Sequence, residues 1–180
     1  VVTNVVLYRK LPYTPADLAP VSLAASFPYL LTVNAALPVN SVKDLIAWMK
    51  SNPGKVNAGV SGGGQQIGLE LFKLKTGTEA VIVQYKGANE VAGSLMSGVT
   101  HLTLIDPGPV LGPMKGGRLK GLAVTSASRL AAIPDIPTVG ELGFPELEFE
   151  SWMGVFAPAR TPQGIVKRLE GAMIGALKQP

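Results

Sequence analysis

A strand, a glycine-rich turn and a helix follow one another in residues 56–74, which read VNAGVSGGGQQIGLELFKL. The first five residues are mostly apolar, as in a short buried strand, and apolar side chains recur at helical spacing after Gln65. The SGGG turn at residues 61–64 can bend tightly and bring its backbone close to a ligand, because glycine lacks a Cβ. Helix starts carry free N–H groups and partial positive charge, so the segment predicts contact with an anion.

This turn matches neither of the common phosphate-binding signatures. A Walker loop would continue with Gly-Lys-Ser/Thr, which does not follow here. The GxGxxG fingerprint is incomplete, since Ile67 stands at the third glycine and Gln84, rather than an acidic residue, ends the next strand. Contact with a carboxylate or another anion is favoured, and the alternative is a turn that only connects a strand to a helix.

Short apolar runs alternate with amphipathic helices along most of the chain. This alternation predicts an α/β fold with a largely parallel sheet, although residues 1–26 show little regular pattern. Ser41 is the expected N-cap of one helix, with Asp44 three residues later, and Thr161-Pro162 is expected to open the last one. Strands are predicted at residues 27–33, 56–60, 81–84, 101–105, 119–125 and 151–157. Helices are predicted at residues 41–52, 65–74, 88–96, 110–115, 138–143 (capped by Thr138) and from 161 onward.

Two further loops directly follow predicted strands, Tyr85-Lys86-Gly87 and Asp106-Pro107. Ligands of open α/β sheets bind where such loops converge, at the carboxyl ends of the strands. Lys86 can pair with a ligand carboxylate or act as an ordinary surface lysine, and the surface role is favoured. Asp106 can accept a hydrogen bond from a ligand amine or hydroxyl, or cap the next helix. Capping is favoured for its carboxylate, and proximity to the ligand for its loop.

Composition narrows the range of functions. The 180 residues include 16 Lys and Arg against 12 Asp and Glu, a net charge of +4, and the pI is near 9.4. The basic residues are scattered rather than clustered with aromatic ones, which argues against nucleic-acid binding. Because there is no cysteine, disulfides, thiolate metal sites and cysteine nucleophiles are excluded. The apolar runs are too short to span a bilayer, and no export signal opens the chain.

Catalytic constellations are poor. The single histidine, His101, stands at the start of an apolar strand, where a structural role is more common. Ser61 lacks the Gly-x-Ser-x-Gly pattern of a nucleophile elbow. A serine-type α/β hydrolase that uses Ser61, His101 and Asp106 is the alternative function, but His101 would have to reach the opposite end of the sheet. No catalytic residue, metal site or cofactor is predicted.

Segments spread over nearly the whole chain resemble the Bug family, the periplasmic receptors of tripartite tricarboxylate transporters. Each segment is a weak signal alone, but their order and spacing are specific. The segments are LYRKLPYTPADLAPVSLAA (7–25), LPVNSVKDLIAWMKSNPGKVN (37–57), the glycine turn with LELFKLKTG (69–77), VQYKGANEV (83–91), LIDPGPVL (104–111), GGRLKGLAVTSASRLAAIPDIPTVGELGFPELE (116–148) and SWMGVFAPARTPQGIVKRL (151–169).

The resemblance implies a type II periplasmic-binding fold that closes on a small carboxylated solute in a cleft between two lobes. Residues 35–150 are expected to form one complete lobe. Residues 1–34 and 151–180 would be parts of the first lobe, with hinge strands at 28–33 and 151–157. The receptor would work in the periplasm without a cofactor and deliver its solute to the membrane subunits of a tripartite transporter. A second alternative is an interaction module, in which apolar surface on the partial first lobe could pair with a second copy as a homodimer, by swapping or by side-to-side burial.

The loops and the resemblance together predict the ligand contacts. Where the family often carries a Ser or Thr and then a His, this chain has Gly63 or Gly64 and Gln66, and an amide cannot titrate. The family's first strand and its glycine-rich loop are expected upstream of Val1, and its closing segment after Pro180. The predicted ligand-binding residues are Thr3, Asn4, Ser61, Gly62, Gly63, Gly64, Gln65, Gln66, Tyr85, Lys86, Gly87, Asp106 and Pro107.

Overall fold

The computed structural model describes residues 4–178, and the chain divides into two compact units. The larger unit is Pro28–Glu150, and the smaller unit is Val1–Phe27 together with Ser151–Pro180. The chain therefore passes from one unit to the other twice, once on each side of the larger unit.

Within residues 4–178 the chain forms seven strands and six α-helices. The strands are β1 (Leu18–Pro28), β2 (Leu30–Asn34), β3 (Asn57–Val60), β4 (Val81–Gln84), β5 (Leu102–Ile105), β6 (Leu119–Val124) and β7 (Glu150–Pro158). The helices are α1 (Asn4–Leu7), α2 (Val42–Ser51), α3 (Gly63–Thr76), α4 (Ala88–Ser97), α5 (Pro107–Lys115) and α6 (Gln163–Leu177).

Five strands of the larger unit form one sheet in the order β4-β3-β5-β2-β6. β3 runs parallel to β4 and β5, as predicted, whereas β2 is antiparallel to β5 and β6. Leu30 therefore lies opposite both Ile105 and Val124. As a result, β2 begins at the side of the sheet where the carboxyl ends of the other four strands lie. This side is called the edge below.

Helices cover both faces of this sheet, and each face has its own apolar cluster. Leu31 and Val33 belong to one cluster and the adjacent Leu30 to the other, because successive side chains of a strand point to opposite faces. Helices α2 and α3 bury side chains in the first cluster, and α4 and α5 in the second. This double covering fixes the ends of the strands and the loops that follow them.

The predicted start of α2 is confirmed. The Ser41 hydroxyl accepts a hydrogen bond from the Asp44 N–H at 3.0 Å, and the Asp44 carboxylate accepts one from the Asn40 N–H at 3.1 Å. Helix α3 starts at Gly63 rather than at the predicted Gln65. Two of the three turn glycines therefore belong to the first turn of the helix.

In the smaller unit, β1 pairs with β7, and Val21, Ala157 and Val166 form a small core. Residues 1–26 show little regular pattern in the sequence, yet most of β1 lies within them. The sequence of β1, LAPVSLAASFP, holds many weak strand formers and two prolines, and its burial does not alternate, so it has no period-two signal. Helix α6 starts at Gln163 with Pro162, not Thr161, at the N-cap.

The position of β2 differs from the expected division of the chain. The sequence prediction assigned residues 1–34 to the first lobe and residues 28–33 to a hinge strand. In the structure all five residues of β2 are buried, and the strand occupies the interior of the five-stranded sheet, within the larger unit. The chain enters the larger unit between Phe27 and Pro28 and leaves it again between Glu150 and Ser151.

The helix predicted at residues 138–143 is absent, and turns stand in its place. Thr138 therefore caps no helix, although it makes the hydrogen bonds typical of a cap. Its hydroxyl accepts a hydrogen bond from the Glu141 N–H at 3.1 Å, and the Glu141 carboxylate accepts one from the Thr138 N–H at 2.8 Å. The local signal for a cap is therefore real, but the helix does not continue beyond it.

Candidate functional site

Three predicted loops lie together at one edge of the five-stranded sheet. β3 has β4 on one side and β5 on the other, and all three strands run in the same direction. Val60 is level with Gln84, and Ala58 is level with Leu102. The loops that begin at residues 61, 85 and 106 therefore leave the sheet side by side, about 4.8 Å apart from strand to strand.

The glycine turn forms the start of α3. Gly62 is the N-cap, has an extended backbone, and provides no side-chain cap. The first intrahelical hydrogen bond runs from the Gln66 N–H to the Gly62 carbonyl at 3.2 Å. The N–H groups before it cannot pair within the helix, so they present donors and partial positive charge at this edge.

Gln65 is fixed in a defined orientation beside these donors. The residue is only 4% exposed, and its Oε1 accepts hydrogen bonds from the Ser61 N–H at 2.7 Å and the Ser61 hydroxyl at 3.3 Å. Because Oε1 faces the turn, Nε2 is the free end of the amide and carries two N–H donors. Within residues 4–178, Nε2 has no hydrogen-bond partner and is not fully enclosed.

Tyr29 lies directly against the glycine turn, which the sequence did not predict. A Cβ added to Gly64 would lie 2.5 Å from the Tyr29 hydroxyl, so only glycine allows this approach. Tyr29 is held in turn by Thr125, whose hydroxyl accepts a hydrogen bond from the Tyr29 N–H at 2.9 Å. The Tyr29 ring also packs against the Phe149 ring, with 5.5 Å between the ring centroids. The sequence signal was missing because the direction of β2 decides where residue 29 lies.

The Tyr85 side chain is directed into the larger unit. Its hydroxyl hydrogen bonds to the Ser94 hydroxyl at 2.5 Å, and Ser94 hydrogen bonds to Thr100 at 3.1 Å. The Tyr85 ring packs on the apolar cluster beneath α4 and α5. The Tyr85 hydroxyl therefore bonds to Ser94 within the larger unit, and its ring packs beneath the loop that begins at residue 85.

Lys86 is the exposed cation of the same loop. Its N–H donates to the Glu90 carboxylate at 3.2 Å, while its ammonium meets no acceptor among residues 4–178. Gly87 is the N-cap of α4 and, like Gly62, has an extended backbone without a side-chain cap. A second uncapped helix start therefore adjoins the first.

Asp106 does not cap α5, so the favoured capping role is wrong. It occupies the N-cap position, with Pro107 as the first helical residue, but it makes no side-chain cap hydrogen bond. Its Oδ1 is buried and, within residues 4–178, has no hydrogen-bond partner. Burial raises the pKa of the Asp106 carboxyl above its ordinary value.

The structure does not assemble the alternative Ser61–His101–Asp106 triad. His101 precedes β5, and its Nδ1 accepts a hydrogen bond from the Asn57 N–H at 2.9 Å at the start of β3. Its ring packs against the Trp48 ring, with 5.5 Å between the ring centroids. Asp106 follows the other end of β5, so about 16 Å of extended chain separates the two residues. His101 therefore has a structural role, and the hydrolase alternative has no geometric support.

The remaining predicted contacts fall elsewhere. The Asn4 amide donates to the Tyr13 hydroxyl at 3.2 Å within the smaller unit, and Thr3 lies outside the described residues. Gln66 is half-buried in the first turn of α3. Among residues 4–178, no helix is long and apolar enough to cross a membrane, and no group of three His, Cys, Asp or Glu side chains is placed to hold a metal ion.

Known proteins match this chain along its whole length. A family model described as the tripartite tricarboxylate transporter family receptor matches residues 1–180. The chain is 34% identical over 175 residues to protein BugT of Bordetella pertussis, which covers 96% of the chain and 54% of BugT. A UPF0065 protein of Pseudomonas sp. strain P51 is 31% identical over 177 residues, with coverage of 96% and 53%. The chain thus spans about half the length of these relatives.

Solved structures with the same fold include proteins with bound carboxylates. Rpa4515 of R. palustris, solved with adipate, is 38% identical, with a TM-score of 0.87 and coverage of 96% of this chain and 58% of that one. MatC from Rhodopseudomonas palustris, solved with malate, is 26% identical, with a TM-score of 0.90 and coverage of 98% and 61%. The periplasmic binding protein BugD is also 26% identical, with a TM-score of 0.90 and coverage of 99% and 60%. The predicted α/β fold of the periplasmic-binding type is confirmed.

Proposed function

Since this chain belongs to the tripartite tricarboxylate transporter receptor family, we propose that it is a solute receptor that binds a small carboxylated molecule. The start of α3 carries the proposal. There an uncapped helix start, a glycine turn and the free amide of Gln65 present several N–H donors at one place. A carboxylate accepts such hydrogen bonds and is attracted by the positive end of the helix.

Each proposed ligand contact has a distinct contribution. The backbone of Gly62, Gly63 and Gly64 and the Nε2 group of Gln65 bind the carboxylate, and the Lys86 ammonium adds positive charge nearby. Further contacts come from the other predicted residues. Those supported by their place at this edge are Ser61, Gln66, Tyr85, Gly87, Asp106 and Pro107, and those supported by the resemblance alone are Thr3 and Asn4.

The wider role of the protein is also a proposal. The larger unit is one lobe of the receptor, and the smaller unit is part of the other. Members of the family are periplasmic receptors rather than enzymes. On that basis this protein works in the periplasm, delivers its solute to the membrane subunits of a tripartite transporter, and makes or breaks no bond in the solute.

Titration of the protein with succinate, malate and adipate, followed by calorimetry and thermal shift, tests the proposed function. Saturating ligand that binds only the folded state raises the melting temperature. At least one carboxylate should bind and give such a rise, whereas glucose and putrescine should not. A rise with the sugar or the diamine, together with no response to any carboxylate, contradicts the proposal.

The variant Gln65→Glu separates binding from folding. A glutamate can still accept hydrogen bonds from Ser61, and the positive end of α3 offsets part of the cost of burying its charge. Circular dichroism checks that the variant is folded. It loses both N–H donors and repels a carboxylate, so ligand affinity should fall at least tenfold, or about 1.4 kcal/mol. Gln163→Glu makes the same change in the first turn of α6 and should leave affinity unchanged. Equal affinity of Gln65→Glu and wild type would place the carboxylate elsewhere.

A further inference from the structure

The Asp106 carboxylate has a buried oxygen without a hydrogen-bond partner in the described part of the chain. Its Oδ1 is enclosed and has no partner within residues 4–178, although the residue as a whole keeps part of its surface exposed. Buried polar atoms of native proteins are nearly always hydrogen-bonded, and an unpaired one requires an explanation. The explanation lies in the four residues that begin at Asp106.

The sequence Asp106-Pro107-Gly108-Pro109 removes the donors that would normally hold this carboxylate. An aspartate at the N-cap accepts a hydrogen bond from the N–H of the second or third residue of the helix. Pro109 is the third residue of α5 and has no N–H, and Pro107 has none either. Only Gly108 keeps a donor, and it makes no cap bond with Asp106. The Asp106 carboxylate therefore makes no hydrogen bond with the helix that it precedes.

The position of Asp106 brings this free acceptor beside the proposed carboxylate site. When the pairing of Ala58 with Leu102 is continued along β3 and β5, Asp106 is level with Gly62, one strand spacing of about 4.8 Å away. A ligand carboxylate is attracted to the uncapped start of α3 and repelled by an acidic side chain. The carboxylate therefore lies on the α3 side, and a different group of the ligand faces Asp106.

We infer that Asp106 accepts a hydrogen bond from a hydroxyl or ammonium group on the carbon next to the ligand carboxylate. The site thereby selects 2-hydroxy or 2-amino carboxylates over unsubstituted ones. This inference rests on the proposed function, because it requires a carboxylate at the start of α3. Oδ1 is enclosed, so the other oxygen, Oδ2, is the acceptor; within residues 4–178 it is neither enclosed nor hydrogen-bonded.

Calorimetric titration with succinate, malate and aspartate tests the selectivity directly. The three ligands have the same carbon skeleton and differ in the substituent on the second carbon. Malate or aspartate should bind the wild-type protein at least tenfold more tightly than succinate, because the substituent satisfies a charged acceptor. In Asp106→Ala this preference should disappear, and succinate should bind no more weakly than to wild type, because the acidic side chain that repels its carboxylates is gone. Asp135→Ala removes the same charge from an exposed loop and should keep the preference.

A second variant tests the role of the prolines. Pro109→Ala restores an N–H at the third position of α5, where it can donate to Asp106. The capped helix should raise the melting temperature, and the preference for malate over succinate should fall at least threefold because the acceptor is now occupied. An effect on melting temperature without an effect on the preference would mean that Asp106 does not face the ligand.

The outcomes distinguish this inference from the proposed function. If no carboxylate binds the wild-type protein, the proposed function fails. If succinate, malate and aspartate bind equally well, the carboxylate site stands and the role of Asp106 is overturned. If Asp106→Ala weakens succinate as much as malate, Asp106 only shapes the loop, and the inference is again overturned. Circular dichroism of each variant establishes that it is folded.

Discussion

Gly64 marks a point where the start of α3 passes directly over the Tyr29 side chain. A Cβ at this position would lie 2.5 Å from the Tyr29 hydroxyl, closer than van der Waals contact allows. Alanine favours a helix over glycine by about 1 kcal/mol, but forcing extra volume into a packed site costs about 1–3 kcal/mol. Gly64→Ala should therefore lower the free energy of unfolding in urea.

Gly93→Ala is the matched control for this prediction. Gly93 lies within α4, and an added Cβ would meet nothing within 4 Å, so the substitution should raise the free energy of unfolding by up to about 1 kcal/mol. Tyr29→Phe should recover part of the loss in Gly64→Ala, because it removes the atom that the Cβ meets. If Gly64→Ala stabilises the protein as Gly93→Ala does, the close approach to Tyr29 is not present.

Asp106 makes the stability of the protein depend on pH. Burial raises the pKa of Asp106 above its ordinary value of 3.8, so its protonated form is the one that favours folding. That contribution is fully present below the unfolded pKa and is lost as the pH rises through the folded pKa. Asp106→Asn cannot ionise, so it should be more stable than wild type at about pH 7.5 and differ little at about pH 3. Urea titrations at both pH values measure the difference.

Glu141 provides a control, because its pKa shifts in the opposite direction to that of Asp106. Hydrogen bonds from the Arg129 side chain and from the Thr138 N–H lower the pKa of Glu141. Its ionised form therefore favours folding at pH values above its unfolded pKa, and the contribution is lost as the pH falls through the folded pKa. Glu141→Gln should be less stable than wild type at neutral pH and not at low pH. The same sign of effect for both variants would contradict the assignment.

Individual site residues differ in how far the sequence could predict them. The glycine turn was predictable, because strand, glycine and helix signals are all local. Tyr29 was not predictable, because its place at the edge depends on the direction of β2. The free carboxylate of Asp106 was within reach, since a proline at the third helical position rules out one of the two usual cap donors.

Helix α2 shows how a local signal fixes an element. Ser41 caps the helix through the hydrogen bond from the Asp44 N–H. Ser41→Ala removes this acceptor and should cost about 1 kcal/mol of stability. Ser51→Ala, at the other end of the same helix, removes only a hydroxyl that bonds to the Ala47 carbonyl, and it should be close to neutral. Equal losses in the two variants, measured by urea denaturation, would show that the cap contributes nothing specific.

Strands β1 and β2 show where sequence prediction stops at the level of elements. β1 is rich in alanine and forms because β7, more than 120 residues later, pairs with it. β2 is a fully buried strand, as its apolar sequence indicates, but nothing in LLTVN states that it runs against its neighbours. Partners distant in the chain decide both features, and a local pattern carries no information about them.

The smaller unit exposes several large apolar side chains. Within the described residues it has a two-stranded sheet and one long helix, and a two-stranded sheet is only marginally stable alone. Its exposed large side chains include Leu23, Trp152, Met153, Ile165 and Leu169. We therefore expect the 180-residue chain to form a homodimer through this surface.

Size-exclusion chromatography with light scattering measures this association. The mass should approach that of a dimer as concentration rises, and Trp152→Lys with Met153→Lys should shift the equilibrium toward the monomer. Lys50→Glu on α2 of the larger unit is a control change of exposed charge and should leave the mass unchanged. A monomer at every concentration would contradict the prediction.

The order of strands in the five-stranded sheet has a consequence for how the chain folds. The ribosome completes β2 long before its two neighbours, because β5 begins 68 residues after β2 ends and β6 begins 85 residues after it ends. Such distant pairing gives a high contact order and slow folding. Until β6 emerges, a strand that is fully buried in the native sheet has an unpaired edge that invites aggregation. Chains truncated before residue 119 should therefore be recovered as insoluble material, and those that extend past residue 150 should stay in solution.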